Sequence, residues 1–116
     1  MSSDLLVDTD VFVDHIRGVR SIRPGSSGVW YSSVTHAELF AGRTPEGAIR
    51  ELLSGFGELT VGREVAELGG AIKRTFGLQL PDALIAATAL LNRLDLVTRN
   101  LRPFERVPGL RLRESV

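Results

Sequence analysis

Three acidic residues and one asparagine, far apart in the sequence, lie near the points where predicted strands end or predicted helices begin. Asp8 directly follows a short apolar run, and Glu38 lies five residues beyond a second one. Asp82 begins an apolar helix, and Asn100 lies two residues beyond a further strand-like run. Because ligands bind outside the carboxyl ends of parallel strands, these oxygen-bearing side chains are predicted to meet at one edge.

A cluster of carboxylates has a definite chemical consequence. Two carboxylates about 4 Å apart repel each other by roughly 4 kcal/mol at an effective dielectric constant of about 20. Three of them stay together only when a cation neutralises them or one takes up a proton. With no cysteine in the chain, an all-oxygen ligand set favours Mg²⁺ or Mn²⁺ over zinc. Such a metal activates water against a phosphate group, so the residues predict phosphoryl chemistry.

The elements that position these residues must come from one small domain. The chain has 116 residues, of which 43% are hydrophobic and none is cysteine. This length allows one compact core, and the lack of cysteine excludes a disulfide scaffold, a thiolate zinc site and a cysteine nucleophile. The sequence shows neither a signal peptide pattern nor an apolar run of about 20 residues, so we expect a cytoplasmic protein without membrane association.

The charged residues balance in number but not in position. Fourteen basic residues oppose fourteen acidic ones, which excludes a strong overall basic field. Thirteen of the basic residues are arginine, and six of these lie in Arg93–Arg113. Because arginine binds phosphate in a forked geometry, some of them are candidates for a salt-dependent contact with an RNA backbone, the alternative being an ordinary solvated surface. These candidates are Arg17, Arg20, Arg23, Arg99 and Arg102.

Strand-like and helix-like segments alternate along the whole chain. Strands are predicted at 5–7, 29–33, 58–61, 96–98 and 110–112. Helices are predicted at 11–16, 35–41, from Pro45 onward, at 63–76 and at 82–94. Gly69 and Gly70 are expected to weaken the fourth helix by up to about 1 kcal/mol each. The alternation predicts an α/β fold with a mainly parallel central sheet flanked by helices.

Four segments occur in the order that is typical of PIN domains. They read Leu-Leu-Val-Asp8-Thr-Asp, Ser-Val-Thr35-His-Ala-Glu38-Leu, Asp82-Ala-Leu-Ile-Ala-Ala-Thr and Thr98-Arg-Asn100-Leu-Arg-Pro-Phe104. Over about residues 4–112 the chain therefore resembles PIN domains, and most closely the VapC-type toxins of bacterial toxin–antitoxin pairs.

The resemblance implies one PIN domain over residues 1–116 that acts as an Mg²⁺- or Mn²⁺-dependent endoribonuclease. By match, the catalytic and metal-binding acids are Asp8, Glu38 and Asp82. The polar residues around them are Thr9, Thr98 and Asn100. The resemblance also implies an RNA substrate, a homodimer, and a VapB-type antitoxin that inserts a basic side chain among the acids.

The residues at two positions, 100 and 103, depart from the family pattern and keep other functions open. PIN domains usually have a further acid where Asn100 stands or three residues later, where this chain has Pro103. With only three acids, a PIN-like module that binds RNA or a partner without cutting is one alternative. A haloacid-dehalogenase-type phosphatase, with Asp8 as nucleophile and Asp10 as acid and base, is a weaker one, because no late pair of acids follows. Without that role, Asp10 is predicted to cap the first helix.

Overall fold

Strands and helices alternate along the chain as the sequence predicts. The structure, a computed structural model, describes residues 4–23 and 25–115. The strands within these ranges are β1 (Leu5–Val7), β2 (Val29–Ser32), β3 (Gly57–Leu59), β4 (Asp95–Val97) and β5 (Leu112–Arg113). The helices are α1 (Thr9–Ile16), α2 (Ser33–Ala41), α3 (Glu46–Leu53), α4 (Arg63–Phe76), α5 (Leu80–Asn92) and α6 (Leu101–Glu105).

The five strands form one parallel sheet in the order β3-β2-β1-β4-β5. From β1, the sheet therefore continues through β2 and β3 on one side and through β4 and β5 on the other. In such sheets the carboxyl ends of the two strands at the reversal enclose a crevice, which here lies between β1 and β4. Every residue of these two strands is buried, as expected for parallel strands that helices cover on both faces.

Two hydrophobic clusters lie on opposite faces of the sheet. Leu6 and Leu96 belong to the cluster that includes side chains of α4, α5 and α6. Their neighbours Leu5 and Val97 belong to the other cluster, which includes side chains of α1, α2 and α3. Because successive side chains of a strand point to opposite faces, the central strands hold both layers of helices in place.

The first helix begins two residues earlier than the sequence predicted. Asp8, and not Asp10, is its N-cap, because the Oδ1 atom of Asp8 accepts a hydrogen bond of 2.8 Å from the backbone N–H of Thr9. The prediction that Asp10 caps this helix is therefore wrong. Asp10 lies in the first turn instead, where the partial positive charge of a helix N-terminus stabilises an acid.

One helix was not predicted at all. The five residues of α6 follow β4 closely and carry Pro103 in the middle, and such a short segment shows no hydrophobic period. Proline is tolerated in the first turn of a helix, where its missing N–H has no partner to lose. Phe104 is fully buried and anchors this turn to the core.

The two glycines of α4 have different surroundings. A Cβ atom added to Gly69 would lie 2.6 Å from Cδ2 and 3.3 Å from Cα of Leu84 on α5, whereas one added to Gly70 would meet nothing within 4 Å. Gly69 therefore allows α4 and α5 to approach closely, and this packing offsets its cost in helix propensity. None of the helices formed by the described residues is both long and apolar enough to cross a lipid bilayer.

We expect the neighbouring substitutions Gly69→Ala and Gly70→Ala to have opposite effects on stability. Gly70→Ala should raise the free energy of unfolding by about 0.5–1 kcal/mol, because alanine favours the helix and fits without contact. Gly69→Ala should lower it by about 1 kcal/mol or more, because the added methyl group pushes α5 away. Urea unfolding of both variants measures the difference, and equal stabilisation would show that the close contact of the helices is not limiting.

Candidate active site

Six of the residues predicted for the ribonuclease site line one cleft at the carboxyl edge of the sheet. This cleft, hereafter the acidic cleft, has a volume of about 310 Å³ and lies where β1 and β4 end. Its lining residues are Asp8, Thr9, Asp10, Val13, Glu38, Asp82, Arg99 and Asn100. The place agrees with the crevice that the strand order creates.

Hydrogen bonds of its backbone and of both carboxylate oxygens fix Asp8 in the acidic cleft. Its backbone N–H donates to the carbonyl oxygen of Val97 at 2.9 Å, which continues the pairing of β1 with β4. Its Oδ1 atom accepts from Thr9, and its Oδ2 atom accepts from the hydroxyl group of Thr98 at 2.9 Å. Thr98 is fully buried and Asp8 is only 6% exposed. The carboxylate is therefore fixed in orientation and largely removed from water.

Asp10 also lies in the acidic cleft, although the sequence suggested it only as a helix cap or, in the phosphatase alternative, as an acid and base beside Asp8. The backbone N–H of Arg99 donates to its Oδ2 atom at 3.2 Å. A usable signal was present in the triplet Asp8-Thr9-Asp10. Once Asp8 is recognised as the cap, Asp10 must stand in the first helical turn close to it. The cleft consequently contains four carboxylates where the sequence predicted three.

Glu38 reaches the acidic cleft from α2 and is tied to α1. Its Oε1 atom accepts a hydrogen bond of 2.6 Å from the hydroxyl group of Thr9. The hydroxyl groups of Thr9 and Thr35 are 3.0 Å apart, which adds a second link between the two helices. Glu38 is exposed. The carboxylate thus has a fixed anchor and still faces solvent.

Burial and mutual repulsion raise the pKa values of two of these acids. The pKa of Asp8 is raised to about 7, first by burial and then by the charge of Asp10, against the lowering effect of its hydrogen bonds with Thr98 and Thr9. The pKa of Asp82, in the first turn of α5, is raised by burial and by the charges of Glu38 and Asp10. The fold therefore holds these groups in a place that disfavours their charged forms.

The carboxylates share the cleft without closing around a single point. Among residues 4–23 and 25–115, no three acidic or histidine side chains stand close enough to form a ready-made metal-binding group. All the charged groups that line the cleft are carboxylates except Arg99. The donor atoms that the acids and Asn100 offer are all side-chain oxygens, apart from the amide nitrogen of Asn100, and this set suits Mg²⁺ or Mn²⁺.

Arg99 docks the segment after β4 onto α1. Its Nε atom lies 2.8 Å from Oδ2 of Asp14, a buried carboxylate one helical turn after Asp10. Its backbone N–H binds Asp10, and the N–H of Asn100 donates to the Thr98 hydroxyl at 3.1 Å. The side chain of Arg99, which the sequence suggested for RNA contact, is therefore already engaged by an acid.

The other arginines suggested for RNA contact lie in different places. Arg17 lines a second cleft that adjoins the acidic one. Arg20 donates through Nη1 to the carbonyl oxygen of Glu114 at 3.3 Å. Arg23 and Arg102 are exposed and do not line the acidic cleft. The structure therefore brings the predicted acids together but scatters the predicted cations.

Comparison with known proteins agrees with this fold. Residues 5–110 match the model of the PIN domain family. Ribonuclease VapC19 of Mycobacterium tuberculosis (strain H37Rv) is 32% identical over 119 residues, which cover 90% of this chain and 95% of the relative.

Solved structures show the same similarity. A toxin–antitoxin complex from Klebsiella pneumoniae contains a chain that is 31% identical, with a TM-score of 0.76 and coverage of 92% of this chain and 95% of that one. VapBC2 from Rickettsia felis, bound to a DNA fragment from its promoter, shares the fold with a TM-score of 0.78, 20% identity and coverage of 94% and 96%. This chain belongs to the PIN-domain family and is related to its VapC-type members.

Proposed function

We propose that this protein is an Mg²⁺- or Mn²⁺-dependent endoribonuclease and the toxin of a VapBC-type toxin–antitoxin pair. The observation that carries the proposal is the grouping of Asp8, Asp10, Glu38 and Asp82 in one cleft at the reversal of the sheet. Further support comes from the relative named as a ribonuclease and from the neighbour in a toxin–antitoxin complex. Asp10 also favours cleavage over mere binding. It adds a fourth carboxylate to the cleft, although Asn100 and Pro103 stand at the positions where PIN domains usually have a further acid.

The chemistry of the acidic cleft fits a divalent cation. Its acids offer only oxygen atoms. Burial and, after it, the neighbouring carboxylates raise the pKa values of Asp8 and Asp82, and a cation would offset both effects. Asp8 and Asp82 would hold the ion directly, and Glu38 would bind it or orient the attacking water. Bound there, the metal would supply Lewis-acid stabilisation and a water molecule of lowered pKa.

Polar residues in and next to the cleft keep these acids in place during the reaction. Thr98 fixes the orientation of Asp8, and Thr9 fixes that of Glu38. Asn100 offers a neutral oxygen at the edge of the cleft. Water attacks the phosphorus atom in line, the bond between phosphorus and the 3′ oxygen breaks, and that oxygen takes up a proton. The products carry a 5′-phosphate and a 3′-hydroxyl group.

The same cleft suggests how the activity would be restrained in the cytoplasm. A VapB-type antitoxin that places an arginine or lysine among four carboxylates would neutralise them and exclude both metal and RNA. The neighbour from Klebsiella pneumoniae is described as a toxin–antitoxin complex, which supports such a partner. We include a homodimer in this proposal, as the family resemblance implies.

We expect single-stranded RNA to be cut only by the wild-type acidic cleft with Mg²⁺ or Mn²⁺ present. Asp82→Asn and Glu38→Gln should each lower the cleavage rate at least about 100-fold, because each removes a charge that the metal or the attacking water needs. Cleavage of an end-labelled RNA, with analysis of the product ends, measures the effect. Asp10→Asn should also slow cleavage, since Asp10 lies in the same cleft.

Glu67→Gln is the matched control, because Glu67 is an exposed acid of α4 outside the acidic cleft. It should cut RNA at the wild-type rate. Cleavage by Glu38→Gln at the parent rate would contradict the assignment of the site. Undiminished cleavage in EDTA would contradict the dependence on metal.

Without metal, Asp8→Asn should stabilise the protein at neutral pH. The folded-state pKa of Asp8, about 7, exceeds its ordinary value of 3.8. Below pH 3.8 the carboxyl group is neutral in both the folded and the unfolded protein. The stability that its higher folded-state pKa contributes is fully present there and is lost as the pH rises through about 7. At pH 7.5 the variant should therefore gain about 1–3 kcal/mol, within the limit of about 1.4 kcal/mol per pKa unit. Asparagine also remains a good N-cap.

Thermal unfolding in EDTA between pH 4.5 and 8 measures this effect as the difference in Tm between Asp8→Asn and wild type. The difference should grow with pH, whereas that of the control Glu67→Gln should stay near zero. Added Mg²⁺ should raise the Tm of wild type and not that of Asp8→Asn, because only a protein that binds the ion is stabilised by it. A difference independent of pH would contradict the raised pKa.

A further inference from the structure

A second cleft adjoins the acidic cleft and shares two residues with it. This arginine cleft, as we name it, has a volume of about 500 Å³ and lies between the carboxyl-terminal part of α1 and the end of α2. Its lining residues are Val13, Ile16, Arg17, Glu38, Leu39, Gly42, Arg43 and Thr44. Val13 and Glu38 line both clefts, so the two are contiguous. The volume falls within the range of about 300–1,000 Å³ that is usual for small-ligand sites.

The two arginines of this cleft carry charge that the described part of the chain leaves unneutralised. Four arginines of the described residues are paired with acids, among them Arg99 with Asp14 and Arg50 with Glu46. Arg17 and Arg43 are exposed, and neither guanidinium group forms an ion pair or hydrogen bond with another residue in 4–23 or 25–115. Their forked donors are thus available to a phosphate group at the edge of the cleft.

Three aliphatic side chains line this cleft together with the two arginines. Val13 and Ile16 are half-buried residues of α1, and Leu39 on α2 is buried. An apolar surface with cations at its edge matches a nucleotide, which has a flat base and a charged phosphate. A base reaches such a surface only when it has left the stack, so the cleft suits single-stranded RNA rather than a duplex.

On the basis of the ribonuclease function proposed above, we propose that the arginine cleft binds the nucleotide next to the scissile phosphate. Arg17 and Arg43 contact the phosphate of that nucleotide, and its base lies against Val13, Ile16 and Leu39. Glu38 marks the boundary between the two clefts, because it lines both. The substrate strand therefore runs from the acidic cleft along the side of α1 toward the end of α2.

RNA binding without metal tests this assignment directly. The probe is a fluorescein-labelled single-stranded RNA of 12 nucleotides in EDTA, followed by anisotropy at several NaCl concentrations. Each phosphate contact on a single strand contributes about 0.7 to the slope of log K against log salt. The double variant Arg17→Gln/Arg43→Gln should therefore reduce the slope by about 0.7 and weaken binding about fivefold at 0.1 M salt, and each single substitution should produce part of this change. Ile16→Ala should weaken binding and leave the slope unchanged.

Arg74→Gln is the matched control, since Arg74 is an exposed arginine of α4 that lines neither cleft. It should bind RNA as wild type does. Unchanged affinity and slope in both Arg17→Gln and Arg43→Gln would overturn the proposal and leave this cleft to a protein partner. An equal loss in Arg74→Gln would also overturn it, because RNA would then respond to overall charge.

The outcome is separable from that of the proposed function. Metal-dependent cleavage by wild type, together with unchanged RNA binding in the arginine variants, would refute the nucleotide site alone. Arginine-dependent binding by a wild-type protein that cuts no RNA would support the nucleotide site and refute the ribonuclease function alone. Circular dichroism of each variant ensures that the comparison is made between folded proteins.

Discussion

The buried carboxyl group of Asp8 is the constraint on which the rest of this edge of the molecule depends. The carboxylate is almost removed from water and lies beside Asp10 and Asp82, which raises its pKa to about 7. Hydrogen bonds from Thr9 and Thr98 lower the pKa of Asp8 in part and hold its carboxylate in one orientation. A fold that keeps acids together in this way holds them against mutual repulsion, and this is the physical basis of the metal site proposed above.

The sheet order and the starts of the helices supply the positions. β1 and β4 are neighbours in the sheet although they are far apart in the sequence, so Asp8 meets Thr98 directly. Asp10 and Asp82 lie in the first turns of α1 and α5, where the helix N-termini favour acids. Arg99 fastens the segment after β4 to α1 through Asp10 and Asp14. The acids are therefore held by rigid elements rather than by loops.

The net charge of zero conceals an uneven surface. The arginine-rich segment near the C-terminus suggested a surface for phosphate, but Arg111 and Arg113 both bind the buried Asp95 and so hold the edge strand β5 in place. Arg17 and Arg43, in contrast, have no acidic partner in the described residues. They line the arginine cleft, which shares Val13 and Glu38 with the acidic cleft. A high density of arginine in the sequence therefore does not by itself indicate a surface that is available to phosphate.

The alternation of strands and helices, the parallel sheet and the bounds of α4 followed from the sequence alone, because the spacing of apolar residues along each segment is a local property. Local motifs likewise pointed to Asp8, Glu38 and Asp82 as neighbours. The membership of Asp10 in the cleft, the helix α6 and the pairing of each arginine were decided by the tertiary structure. The helix α6 and the arginine pairs depend on contacts between distant segments, which local sequence patterns do not encode. Asp10 enters the cleft because α1 begins directly after Asp8, and only for this residue did the triplet Asp8-Thr9-Asp10 contain a local signal.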